Sequence, residues 1–187
     1  MYKIDFNNPI HIHFIGIGGI SMSGLAKILL SKGFTISGSD SHSSALTDEL
    51  IGDGCLVSVP QSASNITNDI DLVVYTAAIH PDNPEFKAAK EAGLPMLTRA
   101  ELLGQIMTVY KNAINIAGTH GKTTTTSMVS EILLAASMDP TISVGGILNS
   151  IGGNTRVGGD KYFVAEACEY TNSFLSFNPT MNIILNV

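Results

Sequence analysis

The segment NAINIAGTHGKTTTTSMVSEILLAA, residues 112–136, decides how the chain is read. An apolar run, NAINIAG (112–118), meets a short glycine-bearing turn, and a helix-forming stretch follows. Strand, loop, helix is the setting in which a phosphate-binding loop works, and the usual loop reads G-x-x-x-x-G-K-[ST]. Counted back from Gly121, its first glycine would fall at Ile116; here it falls at Gly118. The loop is therefore shorter, yet it keeps Lys122 and Thr123 at the helix start. Gly118 and Gly121 let main-chain amides turn toward phosphate oxygens. Lys122 offers a cation beside a transferring phosphate and is the candidate catalytic residue. Thr123 offers a hydroxyl to Mg²⁺. The candidate phosphate-binding set is Gly118, Thr119, His120, Gly121, Lys122, Thr123 and Thr124. Two readings stand for His120, a phosphate contact or an exposed loop residue. Thr124, Thr125 and Thr126 read more simply as capping and packing residues.

Working outward, KYFVAEACEY (161–170) reads as a strand ending in carboxylates. Glu166 closes its apolar part, where an acid can face a hard metal ion; a solvated acid at a strand end is the plainer alternative. Glu169 is less well placed. MNIILNV (181–187) reads as a buried strand, and the chain looks cut in mid-domain there, because a parallel strand normally runs on into a loop and helix. Upstream, short apolar runs alternate with helical patterns, which predicts a parallel α/β architecture. Strands are expected at 11–17, 34–40, 55–59 and 71–78, with 95–99 short and extended. Helices are expected at 20–33, 46–54, 83–93 and 101–111. A domain boundary is placed near residue 110, giving a Rossmann-like unit over 1–110 and the start of a phosphate-loop unit over 111–187.

A second glycine cluster, HFIGIGGISMSGLA, lies between the first strand and the first helix. It is G-x-G-x-x-S, with Ser21 in the third glycine position. Gly16 permits the tight turn, Gly18 and Gly19 let a diphosphate approach, and the helix N-terminus at Ile20 and Ser21 offers amides and partial positive charge. Asp40 ends the second strand, 24 positions after Gly16, near where an acid binds a ribose hydroxyl. A tight turn without a ligand is the alternative for this cluster.

The 187-residue chain is 44% hydrophobic and 14% charged, with a formal charge of −6. That composition is globular and provides no basic field for nucleic acid. No apolar run reaches the ~18 residues of a membrane span, so membrane insertion is not expected. Cys55 and Cys168 make no metal-ligand spacing and read as two buried thiols of a cytoplasmic protein, with a disulfide between them as the alternative.

GIGGISMSGLA, SGSD, AGTHGKTTTT, AEACEYTNSF and NIILNV, in this order, resemble the Mur ligases of peptidoglycan synthesis. The resemblance implies a Rossmann-like UDP-substrate domain, a central ATPase domain and a third domain that covers ATP, of which this chain would hold the first and about half of the second. It implies UDP-N-acetylmuramate and L-alanine as substrates, ATP and Mg²⁺ as cofactors, and an amide bond made through an acyl phosphate. Gly16, Gly18, Gly19, Ile20 and Ser21 would hold the UDP diphosphate. Asp40, Thr76, Ala77 and Ala78, with Ile79, would line the uridine and sugar side. Lys122 and Thr123 match the ATP and metal positions, and Glu166 the metal-binding glutamate. The isolated chain is expected to bind without ligating. Three features depart from or lie outside the family pattern. Members commonly read E-A-D-E-S-D where this chain has Glu166, Ala167, Cys168, Glu169, Tyr170 and Thr171. Ser21 replaces a usual glycine. The histidine of an N-x-x-x-D-H pattern starting at Asn186 would lie beyond Val187. The rival readings are a ligase that recycles cell-wall tripeptide, a nicotinamide-dependent oxidoreductase, and a non-catalytic nucleotide sensor.

Overall fold

A computed structural model describes residues 2–167 and 175–186. The chain forms two compact units, Met1–Leu102 and Leu103–Val187.

The first unit is a five-stranded sheet in the order β3-β2-β1-β4-β5. Its strands are β1 His11–Ile15, β2 Thr35–Ser39, β3 Leu56–Ser58, β4 Leu72–Tyr75 and β5 Met96–Thr98. All four pairings are parallel. Helices α1 Ile20–Ser31, α2 Ala45–Gly52 and α3 Pro84–Glu91 connect them. β1 and β2 have buried central residues because the sheet is covered on both faces, as parallel sheets are. Ile12, Phe14 and Ile15 are fully buried, and α1 packs Met22, Leu25, Ile28 and Leu29 inward. The strand order reverses between β1 and β4, and in open parallel sheets ligands bind at the carboxyl ends of strands at that point.

Helix α4, Arg99–Met107, carries the chain out of the first unit. It starts two residues before the predicted 101 and stops well before 111. The start is set by a capping box: Thr98 Oγ1 accepts from the Glu101 amide at 3.2 Å, and Glu101 Oε2 accepts from the Thr98 amide at 2.7 Å.

The second unit is a sheet in the order β10-β6-β9-β7-β8. Its strands are β6 Asn112–Ala117, β7 Thr141–Leu148, β8 Gly153–Arg156, β9 Tyr162–Glu166 and β10 Met181–Ile184, with helix α5 at Lys122–Ala135. The pairings are parallel except β7 with β8, an antiparallel hairpin absent from the sequence reading. Gly145, Gly146, Gly152 and Gly153 had masked it, and the ladder does slip between Ser143 and Leu148, where the first two glycines lie. A second correction concerns β10. It is no buried strand: Met181 is 50% and Ile184 69% exposed, because among the described strands it pairs only with β6, at the edge of the sheet. An apolar run reports affinity for a core, not whether a second neighbour covers it.

Behind the β1–β4 junction lies a polar cluster. Glu85 is fully buried; its Oε2 accepts from Ser39 Oγ, and its Oε1 accepts from Asn65 Nδ2 at 2.5 Å and the Ser62 amide at 3.2 Å. His13 Nε2 stands 3.7 Å from Oε2. His13 Nδ1 shares the Ser37 hydroxyl (2.9 Å) with His11 Nε2 (2.8 Å). Burial pushes the Glu85 carboxyl up, but His13, Ser39 and Asn65 outweigh it and hold the group below its ordinary value of 4.5. A depressed carboxyl stabilises the fold fully above its unfolded value and loses that contribution as pH falls through the folded one. Thermal midpoints should therefore fall on acidification below about pH 4.5, and Glu85→Gln should make that acid limb shallower; parallel limbs would contradict the assignment. Gly38 sits where a Cβ would lie 2.6 Å from Ile17 Cδ1 and 2.8 Å from the Phe14 carbonyl oxygen. Gly38→Ala should therefore destabilise the first unit by about 1–3 kcal/mol in urea denaturation, as overpacking does.

Candidate functional site

Each unit carries a strand-to-helix corner, and the two corners are described separately. In the first unit β1 ends at Ile15, and Gly16 turns the chain at φ +85°. That left-handed conformation suits a residue without Cβ, and a Cβ would also press on Thr76 Cγ2 at 3.1 Å. The Gly16 and Ile17 amides both donate to the Ser39 carbonyl, at 2.8 and 2.9 Å. Gly19 caps α1 without a side-chain hydrogen bond, and the first turn holds no acid. Helix N-termini of this kind attract anions.

Asp40 stands at the end of β2, beside the glycine turn. Its Oδ2 accepts from the Gly18 amide at 2.9 Å, and its Oδ1 from the Ser41 amide at 2.7 Å. A Cβ on Gly18 would meet that carboxylate at 2.9 Å and Thr47 Cγ2 at 3.0 Å. Gly18 is thus explained by its approach to Asp40. Opposite the glycine turn, Thr76 Oγ1 accepts from the Ala78 amide at 2.9 Å, which shapes the turn through Ala77 to Ile79. A cavity of about 520 Å³ opens here, and Gly16, Gly19, Asp40, Thr76, Ala78 and Ile79 are among its lining residues. The sequence reading missed three residues of this region. Gln61 and Asn83 also line the cavity and are joined by a 2.7 Å hydrogen bond. Arg99 Nη1 donates to Ser21 Oγ at 3.0 Å, bringing a guanidinium to the first turn of α1. The Thr98-x-x-Glu101 capping box was the signal that would have placed Arg99 at a helix start.

In the second unit β6 runs into Gly118 (φ +141°), and Gly121 (φ +82°) caps α5. The Lys122 ammonium lies over the loop, donating to the carbonyls of Gly118 at 2.5 Å and Thr119 at 3.3 Å. Asn186 pins the loop from β10, accepting from the His120 amide at 3.0 Å and donating to the His120 carbonyl at 3.1 Å. A Cβ on Gly118 would meet Asn186 N at 3.2 Å, so this close approach requires glycine. Thr124 lies exposed in the first turn of α5, while Thr126 is fully buried.

Thr123 and Glu166 come together: Thr123 Oγ1 donates to Glu166 Oε2 at 3.2 Å. Glu166 Oε1 accepts from the Gly145 amide at 2.8 Å. Gly145 belongs to the slipped stretch of β7, which turns its amide to Glu166. This residue was also missed, although a glycine pair inside an apolar run, ISVGGIL, marks a bulge or a close backbone approach. Among the described residues no group of three or more His, Cys, Asp or Glu gathers as a metal cage. One hydroxyl and one carboxylate still suit Mg²⁺, which keeps several waters and takes phosphate oxygens. Cys168, Glu169, Tyr170, Thr171 and Val187 lie outside the described residues.

Two α/β units, each with a glycine-bearing corner at the end of an interior parallel strand, define an α/β protein built from successive, largely parallel sheets. The profile described as Mur ligase family, catalytic domain, matches residues 11–111. This chain belongs to the Mur ligase family. It is 98% identical over 187 residues to the UDP-N-acetylmuramate–L-alanine ligase of Lachnospira eligens, covering all of this chain and 41% of that protein. The chain thus spans about two fifths of the length of the curated relatives it matches. The crystal structure of UDP-N-acetylmuramate-alanine ligase MurC from Thermotoga maritima aligns with a TM-score of 0.85 and 36% identity, over 94% of this chain and 41% of that one. The UDP-N-acetylmuramate:L-alanyl-gamma-D-glutamyl-meso-diaminopimelate ligase of Neisseria meningitides aligns at 0.86 and 28% identity, over 96% and 61%. Among the described residues no helix is long and apolar enough to cross a membrane.

Gly145→Ala would set a Cβ 2.8 Å from Glu166 Oε2 and push that flexible carboxylate from Thr123. Affinity for magnesium–ATP, measured by calorimetry, should fall about tenfold while the fold persists, the usual cost of disturbing a partner that orients a metal ligand. Unchanged affinity would remove Glu166 from the metal set.

Proposed function

We propose that this chain is the UDP-substrate and phosphate-loop part of an ATP-dependent ligase that joins L-alanine to the carboxylate of UDP-N-acetylmuramate. The observation that carries the reading is the second corner: Lys122 over a glycine loop, with Thr123 and Glu166 paired beside it, in a chain 98% identical to a ligase of that name. The identity to the tripeptide ligase, 28%, supports that alternative far less.

The first corner suits a diphosphate. The first turn of α1 and the Arg99 guanidinium beside Ser21 bring positive potential to one edge of the β1–β4 cavity. A nicotinamide dinucleotide reading gives the first corner a ligand but leaves the second, with Lys122, Thr123 and Glu166, without a role.

In the proposed reaction a muramoyl carboxylate oxygen displaces ADP from the γ-phosphorus. The amine of L-alanine then attacks the acyl carbon, inorganic phosphate leaves, and the amine loses a proton. A carboxylate and a polyphosphate repel each other, so the task of the protein is positioning and charge neutralisation. Lys122 carries a charge that moves from loop carbonyls to phosphate oxygens when they arrive, and the loop amides orient them. Thr123 and Glu166 would hold Mg²⁺, which supplies Lewis-acid neutralisation of the phosphate oxygens. Such a ligase would work in the cytoplasm on soluble substrates.

Titration of the chain with UDP-N-acetylmuramate, magnesium–ATP and NADH tests the assignment: the first two should bind and NADH should not. In the complete ligase containing this segment, Lys122→Ala should lower ADP release in the presence of both substrates at least about a hundredfold, the scale of losing one charge stabiliser. Near-normal turnover would refute the role given to Lys122.

A further inference from the structure

Glu85 is wholly enclosed, does not line the β1–β4 cavity, and yet touches what shapes it. Ser39 donates its hydroxyl to Glu85 Oε2. The carbonyl of the same Ser39 holds the amides of Gly16 and Ile17, the start of the glycine turn. Glu85 Oε1 takes the Ser62 amide and Asn65 Nδ2. Asn65 Nδ2 also reaches the Pro60 carbonyl at 3.3 Å, so the 60–65 segment that carries Gln61 is tied down. On its own helix the Glu85 amide donates to Asn83 Oδ1 at 2.9 Å, and Asn83 Nδ2 donates to Gln61 Oε1 at 2.7 Å. The glycine turn, Gln61 and Asn83 all meet the cavity. The Glu85 carboxylate therefore stands behind two of its walls, the glycine turn and the 60–65 segment, while the Glu85 main chain holds Asn83.

Burying a carboxylate is costly, and a well-packed apolar side chain of similar volume is often no less stabilising. Stability alone does not account for an acid at this position. What an apolar side chain could not do is accept from β2 and from the 60–65 loop at once.

We propose that Glu85 is the positioning residue of the first-unit cavity, its carboxylate fixing the Gly16–Ile17 turn and the segment that carries Gln61 in the arrangement that receives the diphosphate end of a uridine nucleotide. The identity of that ligand rests on the reading given under Proposed function; the positioning role does not. Glu85→Ala removes all the acceptors. Glu85→Gln keeps the shape and one acceptor oxygen for Ser62 and Asn65, so it should retain part of the function.

The test uses the 187-residue chain and its two variants, titrated calorimetrically with uridine diphosphate and, separately, with magnesium–ATP, in the cold and well below the melting transition. Glu85→Ala should weaken uridine diphosphate at least about tenfold and Glu85→Gln less, with ATP affinity unchanged in both. Amide exchange at Gly16 and Ile17 should quicken in the same order, while that of Phe14 in β1 stays slow. A Glu85→Ala protein whose first unit is folded, reported by slow amide exchange at Phe14, and that binds uridine diphosphate as the parent does would overturn the proposal. Should Glu85→Ala fail to fold, Glu85→Gln decides, and parental affinity with parental exchange at both amides would overturn it. Should the parent not bind uridine diphosphate, the nucleotide reading fails, and the exchange rates at Gly16 and Ile17 alone decide the positioning role.

Discussion

Each unit turns on one constraint: the chain must leave the carboxyl end of a central parallel strand and enter a helix within a few residues. Gly16 and Gly121 meet it with left-handed backbone, at φ +85° and +82°. At both corners the helix N-terminus is left without a side-chain cap. Everything near the corners follows from having to support that geometry. Ser39 anchors the first turn through its carbonyl, and Asn186 anchors the second through both ends of its amide.

The two corners are supported from different directions. In the first unit the neighbour that fixes the turn is β2, whose end supplies both the Ser39 carbonyl and the Asp40 carboxylate. In the second it is the end of β10, at the sheet edge, together with the slipped part of β7. Close backbone approach recurs in both: Gly18 against Asp40, Gly118 against Asn186, Gly145 against Glu166. These glycines serve proximity, and their positions mark where side chains would block the corner from assembling.

The α/β class and the first four strands were legible because buried parallel strands are short apolar runs between helical patterns. The strand–glycine loop–helix corner of the second unit was legible because Gly121, Lys122 and Thr123 are contiguous and framed by a strand and a helix. Other features were hidden for identifiable reasons. The β7–β8 hairpin is rich in glycine where strands are usually β-branched, so no alternation announced it. Exposure of β10 depends on its place in the sheet order, a property of the whole fold. The engagement of Asp40 by Gly18 and Ser41 is a contact of the folded loop, and spacing alone suggested a ribose partner. Arg99 and Glu85 belong to the first turns of helices whose caps were readable, yet their partners, Ser21 and Ser39, come from distant parts of the chain.

The contact between Gly145 and Glu166 has a consequence for sequence variation. The donor is part of the polypeptide backbone, so among substitutions at that position only proline deletes it, and even alanine crowds the acid. Position 145 is thus constrained through space by Glu166 for every side chain, and through the hydrogen bond itself for proline alone.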